Sequence, residues 1–211
     1  MKTLVLLLVS LLVPGIALGA ESAPGDSSRT PDPTGTATVQ SPATADQSFR
    51  AKTDEMVLAT DVWPLVGKAR LKVLIWEVYD SALFTPSGRW QGGAPYQLSL
   101  RYLRDIPADK LVEETEKAWR EQGRSHSRLS EWLGLLGDLW PDLTEGDNLV
   151  FGLNALGDSA FWFNGSPLGS IEDREFGPLF GGIWLDPDTP RPELRAQLIG
   201  PASDLAQNSR P

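Results

Sequence analysis

The side chains that most often carry out enzyme chemistry are scarce in this sequence of 211 residues, which has one histidine, His126, and no cysteine. Without cysteine there can be no disulfide, no thiolate nucleophile and no iron–sulfur cluster. A transition-metal site that needs several histidines is also excluded within one chain. His126 lies in a polar stretch, and no G-x-S-x-G turn supplies a serine for a triad around it. We therefore predict that His126 is an exposed loop residue.

Carboxylates are the remaining candidate metal ligands, and two of them, Asp186 and Asp188, stand close together in the stretch LDPDT. Calcium requires more oxygen ligands than two acids at loop spacing provide. Asp188 and Thr189 are better explained as the cap of a C-terminal helix. The sequence therefore predicts no metal site.

Strand signals dominate the part of the chain that leads to the predicted helices. Lys68–Tyr79 is long, β-branched and aromatic, and its run Val73–Trp76 is apolar on both faces. We predict one central strand that is covered on each side. Ser81–Thr85 is predicted to form a neighbouring strand. Tyr96–Arg104 alternates between apolar and polar residues, as a half-buried strand does.

Helices and strands then follow in blocks. We predict helices over Pro107–Gly123 and Ser127–Trp140, strands over Asp147–Leu153, Ser159–Phe163 and Pro167–Ile171, and helices over Asp173–Phe180 and Thr189–Gly200. Asn164-Gly165 is the favoured pair for a tight hairpin turn. Grouping of this kind predicts an α+β fold, with a large antiparallel sheet covered by a layer of helices.

The two ends of the chain differ in composition from its centre. Residues 1–20 contain Lys2, an apolar stretch and small residues at their end, which predicts a signal peptide and a periplasmic or secreted protein. The alternative is an uncleaved membrane anchor, for which the stretch is marginal in length. Residues 21–53 are rich in Pro, Ser and Thr and are predicted to be a disordered linker. The folded domain is placed at residues 54–200, before a polar tail at 201–211.

Five segments, in this order along the chain, resemble the bacterial chalcone isomerase-like proteins of the chalcone isomerase superfamily. They are VGKARLKVLIWEVYDSALF, YQLSLRYLRDIPADKL, LWPDLTEGDNL, FWFNGSPLGSI and FGGIWLDPDTPRPELRAQLIG. The resemblance implies the chalcone isomerase fold, in which a large antiparallel sheet carries helices on one face, with a cleft between them. It implies no metal or organic cofactor. The superfamily includes plant flavonoid cyclases, fatty-acid-binding proteins and non-catalytic relatives.

The resemblance also implies a set of ligand-binding residues in that cleft, namely Arg70, Leu74, Trp76 and Tyr79. An early-strand arginine in the superfamily holds an anionic oxygen, a task that suits the permanently charged fork of a guanidinium. Leu74 stands where the plant cyclase carries a hydroxyl, so we predict no catalytic residues. Glu77 is spaced oddly from Arg70 and should lie on the opposite strand face. The partner of Arg70 must then come from another strand, a helix, water or a ligand, and our hypothesis is a ligand carboxylate. Alternatively, Arg70 and Lys72 form a solvated strand end, and the aromatic residues belong to the core.

We predict a non-catalytic protein that binds a small amphipathic anion, such as a fatty acid, in the cleft between sheet and helices. Two alternatives stay open: an isomerase or lyase that uses the same cleft, and a periplasmic interaction protein whose cleft is filled by its own Trp and Phe side chains. The formal net charge of −9 argues against nucleic acid or an anionic membrane as the main partner, because both require a basic face. A protein partner remains open, and no membrane partner is expected after signal cleavage.

Overall fold

The computed structural model describes residues 56–200 of the chain. The predicted signal peptide, linker and polar tail lie outside the described residues. Six strands form one sheet in sequence order, and each neighbouring pair is antiparallel. They are β1 (Leu65–Val73), β2 (Trp76–Phe84), β3 (Tyr96–Tyr102), β4 (Asn148–Leu153), β5 (Ser159–Phe163) and β6 (Ser166–Gly169).

Four helices accompany the sheet in the described part of the chain. They are α1 (Ala108–Glu121), α2 (Leu129–Leu139), α3 (Phe176–Leu185) and α4 (Pro192–Ile199). Their buried residues form one cluster with the inward side chains of the sheet, including those of Tyr96, Leu98 and Leu100 on β3. Because these three residues alternate along the strand, the helices pack against the same face. The prediction of an α+β fold with an antiparallel sheet and a helical layer is confirmed.

The predicted single strand over Lys68–Tyr79 is wrong, because the chain reverses direction within it. Val73 pairs with Trp76 across a two-residue turn made of Leu74 and Ile75. Leu74 has φ 56, a left-handed conformation that costs an L-residue with a side chain roughly 1–2 kcal/mol. Tight hairpin turns usually have Gly or Asn at such positions. The sequence lacks that signal here, so a hairpin of apolar residues resembles one buried strand.

The hairpin also changes the burial of its residues. Leu74 and Ile75 are 76% and 83% exposed, and Trp76 is 47% exposed. The run Val73–Trp76 is therefore the end of a hairpin rather than the middle of a covered strand. The second predicted hairpin is found where it was expected, with Asn164 at φ 49 and Gly165 at φ 83 between β5 and β6.

Helix α3 begins and ends later than the predicted helix over Asp173–Phe180. The difference arises from its glycine content, which is more typical of a loop. A Cβ atom at Gly181 would lie 1.7 Å from the hydroxyl of Tyr96. The glycine therefore lets this helix lie directly against the sheet, and packing outweighs its low helix propensity.

The sheet face opposite the helices is covered at β4 and β5 by the segment Met56–Ala59. Met56 and Leu58 pack against the cluster of Val150, Ala160 and Trp162. The side chain of Gln97 fixes this segment, because its Nε2 donates to the carbonyl of Val57 and its Oε1 accepts from the N–H of Ala59, each at 2.8 Å. This explains why β5 is aromatic on both faces.

Candidate functional site

The interface between sheet and helices, where the ligand cleft was predicted, is occupied by aromatic side chains. The ring centroid of Phe180 on α3 lies 4.8 Å from that of Phe151 and 5.4 Å from that of Phe161, both on the sheet. Trp119 and Trp132, on the two preceding helices, are fully buried and meet edge to face. Rings at these separations are in direct contact. Within the described residues, these side chains fill the space between the layers around α3.

Arg70 lies on the sheet face opposite the helices and pairs with two carboxylates of β2. Its Nε and Nη2 donate to the two oxygens of Asp80, at 2.5 and 2.8 Å, and its Nη1 donates to Glu77 at 2.7 Å. The guanidinium pKa is raised by these hydrogen bonds, Asp80 contributing most. The expectation that Glu77 faces away from Arg70 is wrong, and the carboxylates that pair with Arg70 come from β2 rather than from a ligand as hypothesised. The turn folds β2 back beside β1 and brings Asp80 directly opposite Arg70.

Glu77 is shared between two cations of β1. Lys72 contacts it at 2.7 Å, and Arg70 contacts its other carboxylate oxygen at the same distance. Hydrogen bonds from Lys72 first, and then from Arg70, hold the pKa of Glu77 below its usual value. All these groups are well exposed to solvent. The alternative of a solvated strand end describes the surroundings of Arg70 and Lys72.

Leu74 and Trp76 lie at the end of the hairpin and not beside a buried cleft. The guanidinium of Arg104 stands over the Trp76 ring at 5.0 Å from its centroid, within the range of a cation–π contact. The comparison of Leu74 with the hydroxyl position of the plant cyclase assumed an unbroken strand from Leu74 to Tyr79. The turn interrupts that strand, so the assumption is wrong.

Tyr79 is the one predicted site residue that lies in the interior. Its hydroxyl accepts a hydrogen bond from Trp184 Nε1 at 2.8 Å, and its ring meets that of Tyr102 at 5.8 Å. Burial raises the pKa of Tyr79 to about 12 and also raises the pKa of Tyr96 and of Tyr102. These phenols remain protonated near neutral pH and are poor candidates for a general base. The four predicted residues are thus divided between the outer face, the hairpin end and the core, and ligand binding by them stays a prediction.

Two other sequence predictions concern single polar residues. His126 lies in a loop between two helices, as predicted, but it is only partly exposed, because its ring stacks on Trp132 at 4.5 Å and its Nε2 lies 3.2 Å from Glu175. Asp186 pairs with Arg124, a role that the sequence analysis missed, and its other oxygen accepts the N–H of Asp188. The prediction that Asp188 caps the C-terminal helix is wrong, because α4 begins without a side-chain cap. In residues 56–200 no group of three acids or histidines is placed to hold a metal.

A polar cavity of about 370 Å³ lies away from the predicted site, beside the loops that follow β4 and β6. Its lining includes Asp158, Asp173 and Arg174, which are already paired with one another or with neighbouring cations. Ser170 also lines it, and its buried hydroxyl has no hydrogen-bond partner in the structure. Most of its lining residues are polar or charged, unlike those of the apolar cleft that the sequence predicted. No helix in the described part of the chain is both long and apolar enough to span a membrane.

Comparisons with known proteins find a sequence relative and solved structures of similar fold. No family model matches the chain. An uncharacterized protein of Haemophilus influenzae is 30% identical over 144 residues, which are 65% of this chain and 68% of that protein. A crystal structure of a fatty-acid binding protein of Arabidopsis thaliana superposes with a TM-score of 0.53 and 12% identity, covering 70% of this chain and 91% of that one. This chain therefore has the chalcone isomerase-like fold, and it belongs to the same family as the uncharacterized protein of Haemophilus influenzae.

Proposed function

We propose that this protein is a non-catalytic binding protein, and that it binds its partner at its surface rather than between sheet and helices. The observation that carries the proposal is the aromatic packing around Phe180, which occupies the space in which the cleft was predicted. Protein interiors are packed as densely as organic crystals. A ligand could enter only by displacing several of these rings.

The chemistry of the interior also supports a role without catalysis. Tyr79, Tyr96 and Tyr102 are buried phenols whose pKa values are raised. Arg70, the cation that would stabilise an enolate or phenolate, is instead held by Asp80 and Glu77 on the other side of the sheet. A charge that is already paired stabilises a developing oxyanion poorly.

A second candidate is the binding of a fatty-acid-like anion between sheet and helices. It is supported by the fold, which this chain shares with a fatty-acid binding protein of Arabidopsis thaliana. In this alternative the aromatic rings would separate to admit the ligand, and Arg70, which lies on the other face of the sheet, would take no part in binding it.

We also propose that the protein is exported to the periplasm or the exterior, because residues 1–20 have the pattern of a signal peptide. The mature chain is proposed to begin at Ala20 or Glu21. N-terminal sequencing of protein recovered outside the cytoplasm tests this, and retention of Met1 would contradict it.

Titration with medium-chain fatty acids, followed by tryptophan fluorescence and native mass spectrometry, separates the two candidates. Surface binding predicts no saturable change in the wild type and no co-purified fatty acid. Saturable binding that is kept in Arg70→Ala would favour the second candidate, whereas binding that is lost in Arg70→Ala but kept in Arg101→Ala would place the fatty acid on the outer face of the sheet. Arg101 is the matched control because it is an exposed arginine opposite the same Asp80 on the neighbouring strand.

A further inference from the structure

The turn between β5 and β6 contains a dipeptide whose two residues can react with each other. Asn164 is the one asparagine of the sequence that a glycine follows. Both residues of the turn are exposed to solvent. Gly165 has no side chain to crowd its main-chain nitrogen, and a Cβ atom built on it would meet nothing within 4 Å. The main-chain nitrogen of Gly165 therefore has open space in which to approach the side-chain amide of Asn164.

The reaction open to such a pair is deamidation, to which asparagine owes its thermal lability. The main-chain nitrogen of Gly165 forms a bond with Cγ of Asn164, and the bond from Cγ to Nδ2 breaks. The proton of the attacking N–H leaves with Nδ2 as ammonia, and a five-membered imide remains. Water then opens the imide at either of its two carbonyl carbons, which gives an aspartyl or an isoaspartyl residue. Water is the only second reactant that the step requires.

The fold holds the side-chain amide of Asn164 at both of its polar atoms. Its Nδ2 donates to Asp147 Oδ1 at 2.8 Å, and its Oδ1 accepts the N–H of Asn148 at 2.9 Å. The other oxygen of Asp147 accepts from the N–H and the hydroxyl of Thr144, so the acceptor is itself fixed in place. An amide that is bound in this way to the segment before β4 is not free to turn toward Gly165.

We propose that Asn164 is a site of spontaneous deamidation, and that its hydrogen bonds to Asp147 and Asn148 hold the reaction back in the folded protein. The bond to Asp147 has a charged acceptor, which makes it stronger than a bond between neutral groups. Breaking both bonds before the reaction can begin slows it roughly tenfold or more. The rate in the folded protein then follows the fraction of time in which the β5–β6 hairpin is open locally.

Deamidation removes the contact that slowed it. The aspartyl product has an oxygen where Nδ2 stood, opposite the carboxylate of Asp147, and two like charges at this distance repel each other. The isoaspartyl product adds one atom to the main chain of a two-residue turn, whose length fixes the register of the strands. Strand β6 is four residues long and lies at the border of the sheet, so it is the element that loosens. This inference does not depend on the proposed function.

The test incubates the full chain at mildly alkaline pH, either folded or unfolded in guanidinium chloride. Peptide mass spectrometry measures the fraction of amide converted to acid at Asn164, and chromatography separates the isoaspartyl peptide from the aspartyl one. We expect Asn164 to convert roughly tenfold or more slowly in the folded protein than in the unfolded chain. Asn154, which is followed by alanine, is the internal reference and should convert far more slowly than Asn164 in the unfolded chain.

Two variants test the role of Asp147 and the effect of the product. Asp147→Ala removes the acceptor of Nδ2 and should speed conversion of Asn164 in the folded protein roughly fivefold. The matched control is Glu145→Ala, which removes an exposed acid from the same loop and should convert as the wild type does. Asn164→Asp places the aspartyl product in the turn from the start and should melt below the wild type. Circular dichroism of each variant confirms that the fold is kept.

Three results would overturn the proposal. If Asn164 keeps its amide even in the unfolded chain, it is not a site of deamidation. Equal rates in the folded and unfolded chains would show that the fold does not hold the reaction back. A rate that is the same in Asp147→Ala as in the wild type would show that the hydrogen bond to Asp147 has no part in it. The comparison of folded with unfolded wild-type protein needs no variant, so it stands even where a substitution disturbs the fold.

Discussion

Replacing Phe180 with alanine tests whether the sheet–helix interface is a finished core. Phe180 is 2% exposed and its ring centroid lies within 5.9 Å of those of five other aromatic residues. Substitutions of Phe by Ala at such sites cost about 3–5 kcal/mol of unfolding free energy. Because these neighbours are rigid rings on both layers, they can fill the vacated space only in part, and we expect the upper half of that range.

The measurement is urea unfolding followed by tryptophan fluorescence, with thermal melting as a second probe. A loss of about 4 kcal/mol corresponds to a fall in melting temperature of roughly 8–16 °C for a domain of this size. The variant should also gain binding of a small apolar molecule such as benzene, as apolar cavities do. The matched control, Leu156→Ala, changes an exposed apolar residue and should stay within about 0.5 kcal/mol of the wild type.

A loss below about 1 kcal/mol in Phe180→Ala would refute the reasoning, because it would mean that the interface was not tightly packed. Benzene binding by the wild type with the same affinity as the variant would refute it too. Either result would revive the fatty-acid-like ligand as the occupant of the interface.

Three further predictions concern surface and turn residues. Leu74→Gly should leave the unfolding free energy, measured by urea unfolding, within about 1 kcal/mol of the wild type, because relief of left-handed strain offsets the entropy of glycine. Leu83→Ala on the same hairpin should instead lower the unfolding free energy by about 2–5 kcal/mol. Arg70→Ala should shift the melting temperature by little, because exposed ion pairs contribute little to stability; a large fall in the melting temperature would show that Arg70 holds the hairpin together. Hydrogen bonds from Asn164 and then from Thr144 lower the pKa of Asp147. Its ionised form therefore stabilises the fold above its ordinary pKa, near 3.8, and the stabilisation is lost as pH falls through the lower folded value. Asp147→Asn should melt below the wild type at neutral pH and together with it at about pH 2, and an unchanged difference there would contradict the assignment.

Elements with strong local signals were predicted well from the sequence. Strand β5 was predicted with the bounds that the structure has, because turn residues stand on both sides of a short aromatic run. The apolar residues of α2 recur at helical spacing, and Pro141 follows it. In such segments the local preference and the tertiary packing favour the same structure.

The positions of the candidate site residues relative to the core were predicted poorly, because they depended on one turn without a local signal. Leu74 and Ile75 have strand-forming neighbours and no Gly, Asn or Pro beside them. A missed reversal shifts every later residue of that segment to a new partner, since side chains alternate between faces. Asp80 could therefore not be expected as the partner of Arg70. Of the four predicted site residues, Tyr79 alone faces the helices in the structure.

The two borders of the sheet have a consequence for how other chains can associate with it. The outermost strand at one border, β1, carries Lys68, Arg70 and Lys72 along its length, and its Gly67 lies against the end of α4. At the opposite border β6 is four residues long and contains Pro167, which has no N–H to offer a further strand. Short length, lysine and proline are the devices that prevent strand-to-strand aggregation. A partner that associates by extending the sheet is therefore disfavoured at both borders, and recognition of this protein should depend on side chains rather than on its backbone.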